Sequence, residues 1–311
     1  MPLPLALMPG LKLPVLAAPM FLTSGVELVV ACCRAGVLGT FPALNARSTE
    51  ALDDWLEQVV AGRRAGDAAY GVNLIVHRSN PRLQADLAQI VARRVPLVIT
   101  SLGAAAEVVA AVQSYGGLVF HDVTSRRHGE KAAEAGVDGL IAVAAGAGGH
   151  GGALLPFALL GELRQVFAGT LVLAGAITTG RDVFAARAMG ADLVSIGTRF
   201  LATREAMVSD AQKAMVLKAR AADIVHTAAV SGVAANFLGD SLIANGVDTA
   251  TLPAHGQLDM AAEAKVWKTI WSAGQGVGRI DDLPGAAALC NRLVAEYRAA
   301  AVAACQDPFA A

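Results

Sequence analysis

Charge is scarce in this chain. Asp, Glu, Lys and Arg make up 16% of it, 25 basic against 26 acidic residues, and no basic run stands out. Nothing supplies the phosphate-neutralising contacts that nucleic-acid binding requires. Cysteine is also sparse. Cys32, Cys33, Cys290 and Cys305 are the only four; none forms a C-x-x-C pair, and adjacent thiols do not have a zinc spacing. No His-x-x-Glu or paired-carboxylate pattern points to another metal, so none is expected. Four reduced thiols suit a cytoplasmic protein. No cationic segment precedes Lys12, so the apolar N-terminus lacks the form of a signal peptide. The longest weakly charged stretch, 136–161, is broken by glycines, His150 and Pro156. It reads as a strand, a glycine loop and a helix rather than a membrane span. No G-x-G-x-x-G follows the first apolar run, which excludes the dinucleotide-binding fingerprint.

What the chain does have is apolar residues, 55% of the whole, arranged with a regular rhythm. Short β-rich runs at 14–19, 37–40, 70–75, 96–100, 118–121, 139–143, 170–174 and 192–196 read as strands. Helical segments alternate with them. Ser24 is the expected cap of the first, Ser48 of the second, and Pro81 the first residue of the third. The rest are expected at 104–113, 126–135, 156–167, 180–189 and from Thr203 onward. This alternation predicts an α/β fold, a (β/α)8 TIM barrel of parallel strands buried on both faces. After residue 221 the rhythm changes to a Gly-, Asn- and Asp-rich stretch. The expected organisation is a barrel over 1–220, a small C-terminal cap or lid subdomain over 221–282, and a helix over 283–311 that returns to the barrel.

A barrel carries its chemistry at the carboxyl ends of its strands. Strand seven ends in Ala174-Gly175-Ala176 and strand eight in Gly197-Thr198, each before a helix start. Glycines there let backbone N–H groups approach an anion, and the helix dipole favours negative charge. These two loops are the expected phosphate cradle. His150 follows strand six inside Gly146-Ala147-Gly148-Gly149-His150-Gly151-Gly152. The surrounding glycines bring backbone close to a flat ligand. An imidazole titrating near neutral pH can take a proton or donate to an oxyanion. Asn73 ends strand three and offers both a donor and an acceptor to a heterocycle edge. Ala18-Pro19-Met20 ends strand one, where small residues admit a ring system and Met20 can pack on its face. His121 and Asp122 end strand five and either contact a ligand or close their own loop. His77 and His128 are expected on the surface; His226 and His255 fall in the cap, where lining its entrance is the lesser of their two readings.

Together these residues resemble the nitronate monooxygenase family, formerly called 2-nitropropane dioxygenases. The resemblance rests on A-P-M at 18–20, G-V-N-L at 71–74, A-G-G-H-G-G at 147–152 and G-A-D-L-V-S-I-G-T-R-F-L-A-T-R-E at 190–205. It extends through S-G-V-A-A-N-F-L at 231–238 and W-S-A-G-Q-G-V-G at 271–278. It implies an FMN-containing barrel with a cap. Ala18, Pro19 and Met20 would run beside the flavin, and Asn73 and Asp122 would meet its edge. Gly148 and Gly149 would lie near its ring or ribityl chain, and Gly175, Ala176, Gly197 and Thr198 would hold its phosphate. His150 would be the catalytic residue facing the reactive nitrogen, and Phe21, His121 and Ser231 would contact substrate. The chain departs from the family pattern at Gly146, where many relatives have Glu, and at Asp122, where some have Lys. It departs again at Ala174-Gly175-Ala176, where some have Ser-Gly-Gly.

The implied activity is FMN-dependent oxidation of alkyl nitronates, or of nitroalkanes, by O2 to carbonyl compounds and nitrite. The partners are then a small molecule and O2, with no membrane, and the apolar surplus is compatible with a homodimer. The alternative is an NAD(P)H-dependent FMN reductase acting on quinones or enoyl thioesters, because related barrels share the same motifs. A third reading, a phosphate-binding barrel without flavin, rests on loops seven and eight alone.

Overall fold

A computed structural model describes residues 3–103, 106–230, 232–249, 252 and 268–308. The barrel strands are β1 (Val15–Ala17), β2 (Leu38–Pro42), β3 (Tyr70–Ile75), β4 (Leu97–Ser101), β5 (Leu118–Val123) and β6 (Gly139–Val143). After a short strand β7 (Gly149–His150) come β8 (Thr170–Ala174) and β9 (Leu193–Ile196). The order β1-β2-β3-β4-β5-β6-β8-β9 closes on itself, with β9 parallel to β1 through Leu16 and Ser195. The expected (β/α)8 barrel is thus present.

Two apolar layers explain why these strands carry near-continuous hydrophobic runs. Leu16, Leu38, Leu97, Ile99, Phe120, Ile141, Val172 and Leu193 form one cluster inside the barrel, and Leu7, from the turn Leu5–Leu7, joins it. The alternate residues Val98, Leu140, Ala142, Leu171 and Leu173 belong to the larger cluster beneath the helices. Each strand therefore buries both faces, as a parallel sheet must.

Several helix starts differ from expectation for local reasons. Ser24 does not cap the first helix, Val26–Ala35, whose N-cap is Gly25. The Ser24 hydroxyl instead donates to Ala18 O and accepts from Met20 N–H. Pro81 does not begin a helix. Asn80 Oδ1 accepts from Arg82 N–H in an Asx turn, and Leu83–Ala92 starts after it. The helix after β9 is split in two, Thr198–Leu201 and Asp210–Lys218. The Thr203 hydroxyl donates back to Phe200 O, and Ser209 caps the second piece. Ser48 and Pro156 stand where expected, as N-cap and first-turn proline.

A second sheet lies over the barrel mouth. Strands β10 (Ile224–Thr227) and β11 (Ala235–Leu238) run antiparallel, and β11 pairs with β7 through Ala235–His150 and Asn236–Gly149. The helix Ala286–Cys305 packs on the helices Val26–Ala35 and Gly180–Ala188, filling the barrel wall. No described helix is long and apolar enough to cross a membrane.

Candidate active site

The carboxyl ends of the barrel strands surround a cavity of about 950 Å³. Ala18, Pro19, Met20, Phe21, Asn73, His121, Asp122, Gly148, Gly149, His150, Gly175, Ala176, Gly197 and Thr198 all line it. Ser231 and His255 lie outside the described residues. His128 is exposed, as expected, but it also stands at the cavity's edge with Lys131. His226 bonds Asn236 through Nδ1 at 3.1 Å and does not line the cavity.

Backbone strain concentrates here. Leu22, Arg94, Leu102 and Ala176 are the described non-glycine residues with left-handed backbone, and all but Arg94 line the cavity. Such conformations cost roughly 1–3 kcal/mol each and persist where the surroundings impose them. At the end of β8, Gly175 has φ +131° and Ala176 φ +54°. Both conformations are rare for a residue with a side chain, and they stand at the strand end where barrels commonly bind phosphate. Beside them, Gly197 precedes the helix Thr198–Leu201.

The glycines fall into two groups. A Cβ on Gly148 would lie 2.8 Å from Gly274 N and 2.9 Å from Ala273 C, so the close approach of two backbones demands glycine there. A Cβ on Gly197 would meet nothing nearer than 3.6 Å, and one on Gly149 nothing nearer than 4.0 Å. Chain packing therefore leaves room before Gly149 and Gly197, and both face the cavity. Open glycine backbone, a strained loop at the end of β8 and an apolar wall suit a flat phosphorylated cofactor such as a flavin.

Bonds from outside the expected set hold this frame. Asn45 Nδ2 donates to Met20 O and Ser24 O, while Asn45 Oδ1 accepts from Leu22 N–H, stapling the β1 loop. Asn236 Nδ2 donates to Ala147 O at 2.6 Å and ties β11 to the histidine loop. Gln275 N–H donates to Gly146 O, and Gly274 N–H to Thr198 Oγ1, so the segment 271–276 spans both loops. The Thr198 hydroxyl thus accepts from the chain and keeps its own proton to donate. Asn45 sits in a short turn with no periodicity, and no sequence signal marked it. Asn236 and Gln275 lay within recognisable motifs, but spacing alone gave them no role.

The polar side of the cavity is one connected chain. Asn73 Nδ2 donates to Ile99 O at 3.1 Å and to Ser101 Oγ at 2.7 Å. The Ser101 hydroxyl donates to Asp122 Oδ2 at 2.5 Å. Both Asn73 amide hydrogens are therefore engaged within the barrel, which leaves Oδ1, an acceptor, for a ligand. Burial pushes the Asp122 carboxyl up to about 6, against the opposing pull of the Ser101 bond and the His150 charge. Burial pushes His121 the other way, down to about 4, with the His128 charge adding to it. Its Nδ1 lies 2.7 Å from Thr100 Oγ1, and the ring is neutral at pH 7. Among the described residues no cluster of three or more metal-ligating side chains occurs.

A closed parallel barrel with strained loops, open glycines and a buried acid–base group at its mouth defines an enzyme of the TIM-barrel class. The sequence model of nitronate monooxygenase matches residues 81–296. The chain belongs to that family and is a flavin-dependent oxidoreductase. It is 28% identical to a nitronate monooxygenase of Paraburkholderia phytofirmans over 90% of this chain and 92% of that one. It is 30% identical to the (3aS,4S,5R,7aS)-5-hydroxy-7a-methyl-1-oxo-octahydro-1H-indene-4-carboxyl-CoA dehydrogenase of Mycobacterium tuberculosis, covering 77% of this chain and 67% of that protein. The nitroalkane oxidase structure from Streptomyces ansochromogenes superposes with a TM-score of 0.82 at 25% identity, over 96% of this chain and 99% of that one.

Proposed function

We propose that this chain binds FMN at the barrel mouth and oxidises small alkyl nitronates, and the nitroalkanes that yield them, with O2 to carbonyl compounds and nitrite. The observation that carries this reading is the setting of His150. It stands on β7, paired with Ala235 of β11, and lines the same cavity as the open glycines Gly149 and Gly197. Residues 1–220 would then hold the cofactor, 221–282 would cover the substrate, and 283–311 would complete the wall.

The backbone of Gly175, Ala176 and Gly197 and the Thr198 hydroxyl would hold the phosphate. Ala18, Pro19 and Met20 would flank the ring, and Asn73 Oδ1 would accept from a ring N–H. A bound flavin supplies the electron transfer between substrate and O2. The chain supplies position and protons. His150 orients the substrate's nitro oxygens, or as a neutral imidazole takes the proton from the carbon beside the nitro group. Phe21 and His121 would shape the substrate's side of the cavity.

Purified holoenzyme given propionate 3-nitronate should consume O2 and release nitrite. His150→Asn should keep its flavin and lose about 10²-fold or more in turnover of a neutral nitroalkane. Absence of both oxygen uptake and nitrite in the unmodified enzyme would end this reading.

The similarity to an indene-carboxyl-CoA dehydrogenase supports a second reading, flavin chemistry on a thioester, with a nicotinamide as electron donor in the reductive direction. Rapid anaerobic bleaching of the flavin by NADH or NADPH, with nitronates inert, would select it.

A further inference from the structure

We propose that Asp122 is the charge partner of His150 and that, through it, the site selects a neutral carbon acid over that acid's preformed anion. This rests on the nitroalkane and nitronate reading above and names which of the two forms the site is built for.

Asp122 ends β5 and lines the cavity with His150. The relay from Asn73 through Ser101 crosses three neighbouring strands and fixes one carboxylate oxygen, Oδ2. The adjacent strand β6 offers the cavity only the apolar Ile141 and Val143. His121, on β5 itself, is neutral at working pH. From the helix Arg126–Glu134 come His128 and Lys131, both exposed at the rim. Among the described residues lining the cavity, Asp122 is the only carboxylic acid and no arginine is present. The inner wall therefore holds one acid and two imidazoles, and its one ammonium group stands out in solvent.

This balance decides what the site can hold. A nitronate brings a full negative charge toward an ionised Asp122, with no buried cation among the described lining residues to offset it. A nitroalkane brings none. When its C–H bond breaks, the electron pair stays on the substrate, delocalised into the nitro group, and the proton moves to the His150 imidazole. The imidazolium so formed is stabilised by the Asp122 carboxylate, as an acid orients and supports a histidine base elsewhere. Asp122 and His150 line the same cavity, and the His150 charge is among the forces acting on the Asp122 carboxyl. Charge thus appears where a partner waits for it.

The test compares holoenzyme with Asp122→Asn, which keeps an acceptor for Ser101, and with Asp122→Lys, at pH 8. Oxygen uptake gives kcat/KM for a primary nitroalkane and for its nitronate. A flavin absorbance titration with nitrate, a planar anion that does not react, gives a Kd independent of turnover. Removing the carboxylate should lower kcat/KM for the nitroalkane at least tenfold. It should hold or raise that for the nitronate and tighten nitrate at least tenfold, with Lys exceeding Asn. The unmodified enzyme should bind nitrate more tightly as pH falls through about 6, and Asp122→Asn should show a smaller dependence over the same range. An unchanged substrate ratio with unchanged nitrate binding would overturn the proposal while leaving the activity intact. If the unmodified enzyme consumed neither form, the activity itself would fall, and the nitrate titration would still decide the role of Asp122.

Discussion

Gly148 and Gly197 look alike in sequence, each a glycine in a loop after a barrel strand, yet they lack a side chain for different reasons. At Gly148 a methyl would meet the backbone of Ala273 and Gly274 at 2.8–2.9 Å. Gly148→Ala should force two backbones apart and cost about 1–3 kcal/mol of stability, read as a lower denaturant midpoint. At Gly197 a methyl would find ordinary clearance. Gly197→Ala should leave stability within about 0.5 kcal/mol of the unmodified protein, while FMN affinity, followed by flavin fluorescence, falls. Gly197→Asp should abolish FMN binding, because a carboxylate would face the phosphate. Equal loss of stability in both alanine variants would show that Gly197 also serves packing alone. Sequence identified both glycines because glycine after a strand is visible by eye. It could not separate them, since the separation depends on residues 273–274, more than a hundred positions after Gly148. Asn73 teaches the same lesson. Its place at a strand end was legible, but the engagement of both its amide hydrogens depends on Ser101 of the next strand.

At the scale of elements, the barrel strands were legible because burial on both faces leaves an uninterrupted apolar signature. Strands β3, β6 and β8 fall on the expected residues. Strand β7 was not legible. It consists of Gly149 and His150 inside a glycine run, and neither residue favours a strand by itself. It forms because β11 offers Ala235 and Asn236 as partners. Helix starts failed where Ser24 and Asn80 spent their polar groups within their own loops. The pairing of β7 with β11 also sets what fixes His150. Asn236→Ala removes the buried bond from Nδ2 to Ala147 O and leaves that carbonyl without it. The expected cost is about 1–3 kcal/mol, together with reduced turnover and unchanged flavin content. Amide exchange at residues 147–151 should rise more than elsewhere. Uniform exchange across the barrel would instead mean that Asn236 supports the fold without a particular hold on the histidine loop.

For the molecule as a whole, two neighbours on β5 place opposite demands on pH. His121 is held neutral, with its pKa lowered from 6.5 to about 4. Between those values the unfolded chain binds a proton that the folded chain does not, so this residue makes stability rise with pH. Asp122 has its pKa raised from 3.8 to about 6. Across that interval the folded chain binds the extra proton, so this residue makes stability fall with pH. Between about pH 4 and 6 the two slopes oppose each other, and the unmodified protein should show little net change from this pair. Single substitutions uncover each slope. The stability of Asp122→Asn, measured relative to the unmodified holoenzyme, should climb from pH 4 to 6. A two-unit shift corresponds to roughly 3 kcal/mol, and the opening of Asp122 onto the cavity reduces this to about 2 kcal/mol. The relative stability of His121→Gln should decline between pH 4 and 6.5 by a similar amount. Taking differences against the unmodified protein at each pH removes the titration of groups that do not interact with the substituted side chain. Relative stabilities that stay flat from pH 4 to 7 in both variants would mean that neither side chain is held away from its ordinary protonation. The charge balance assigned to the cavity would then be wrong at its source.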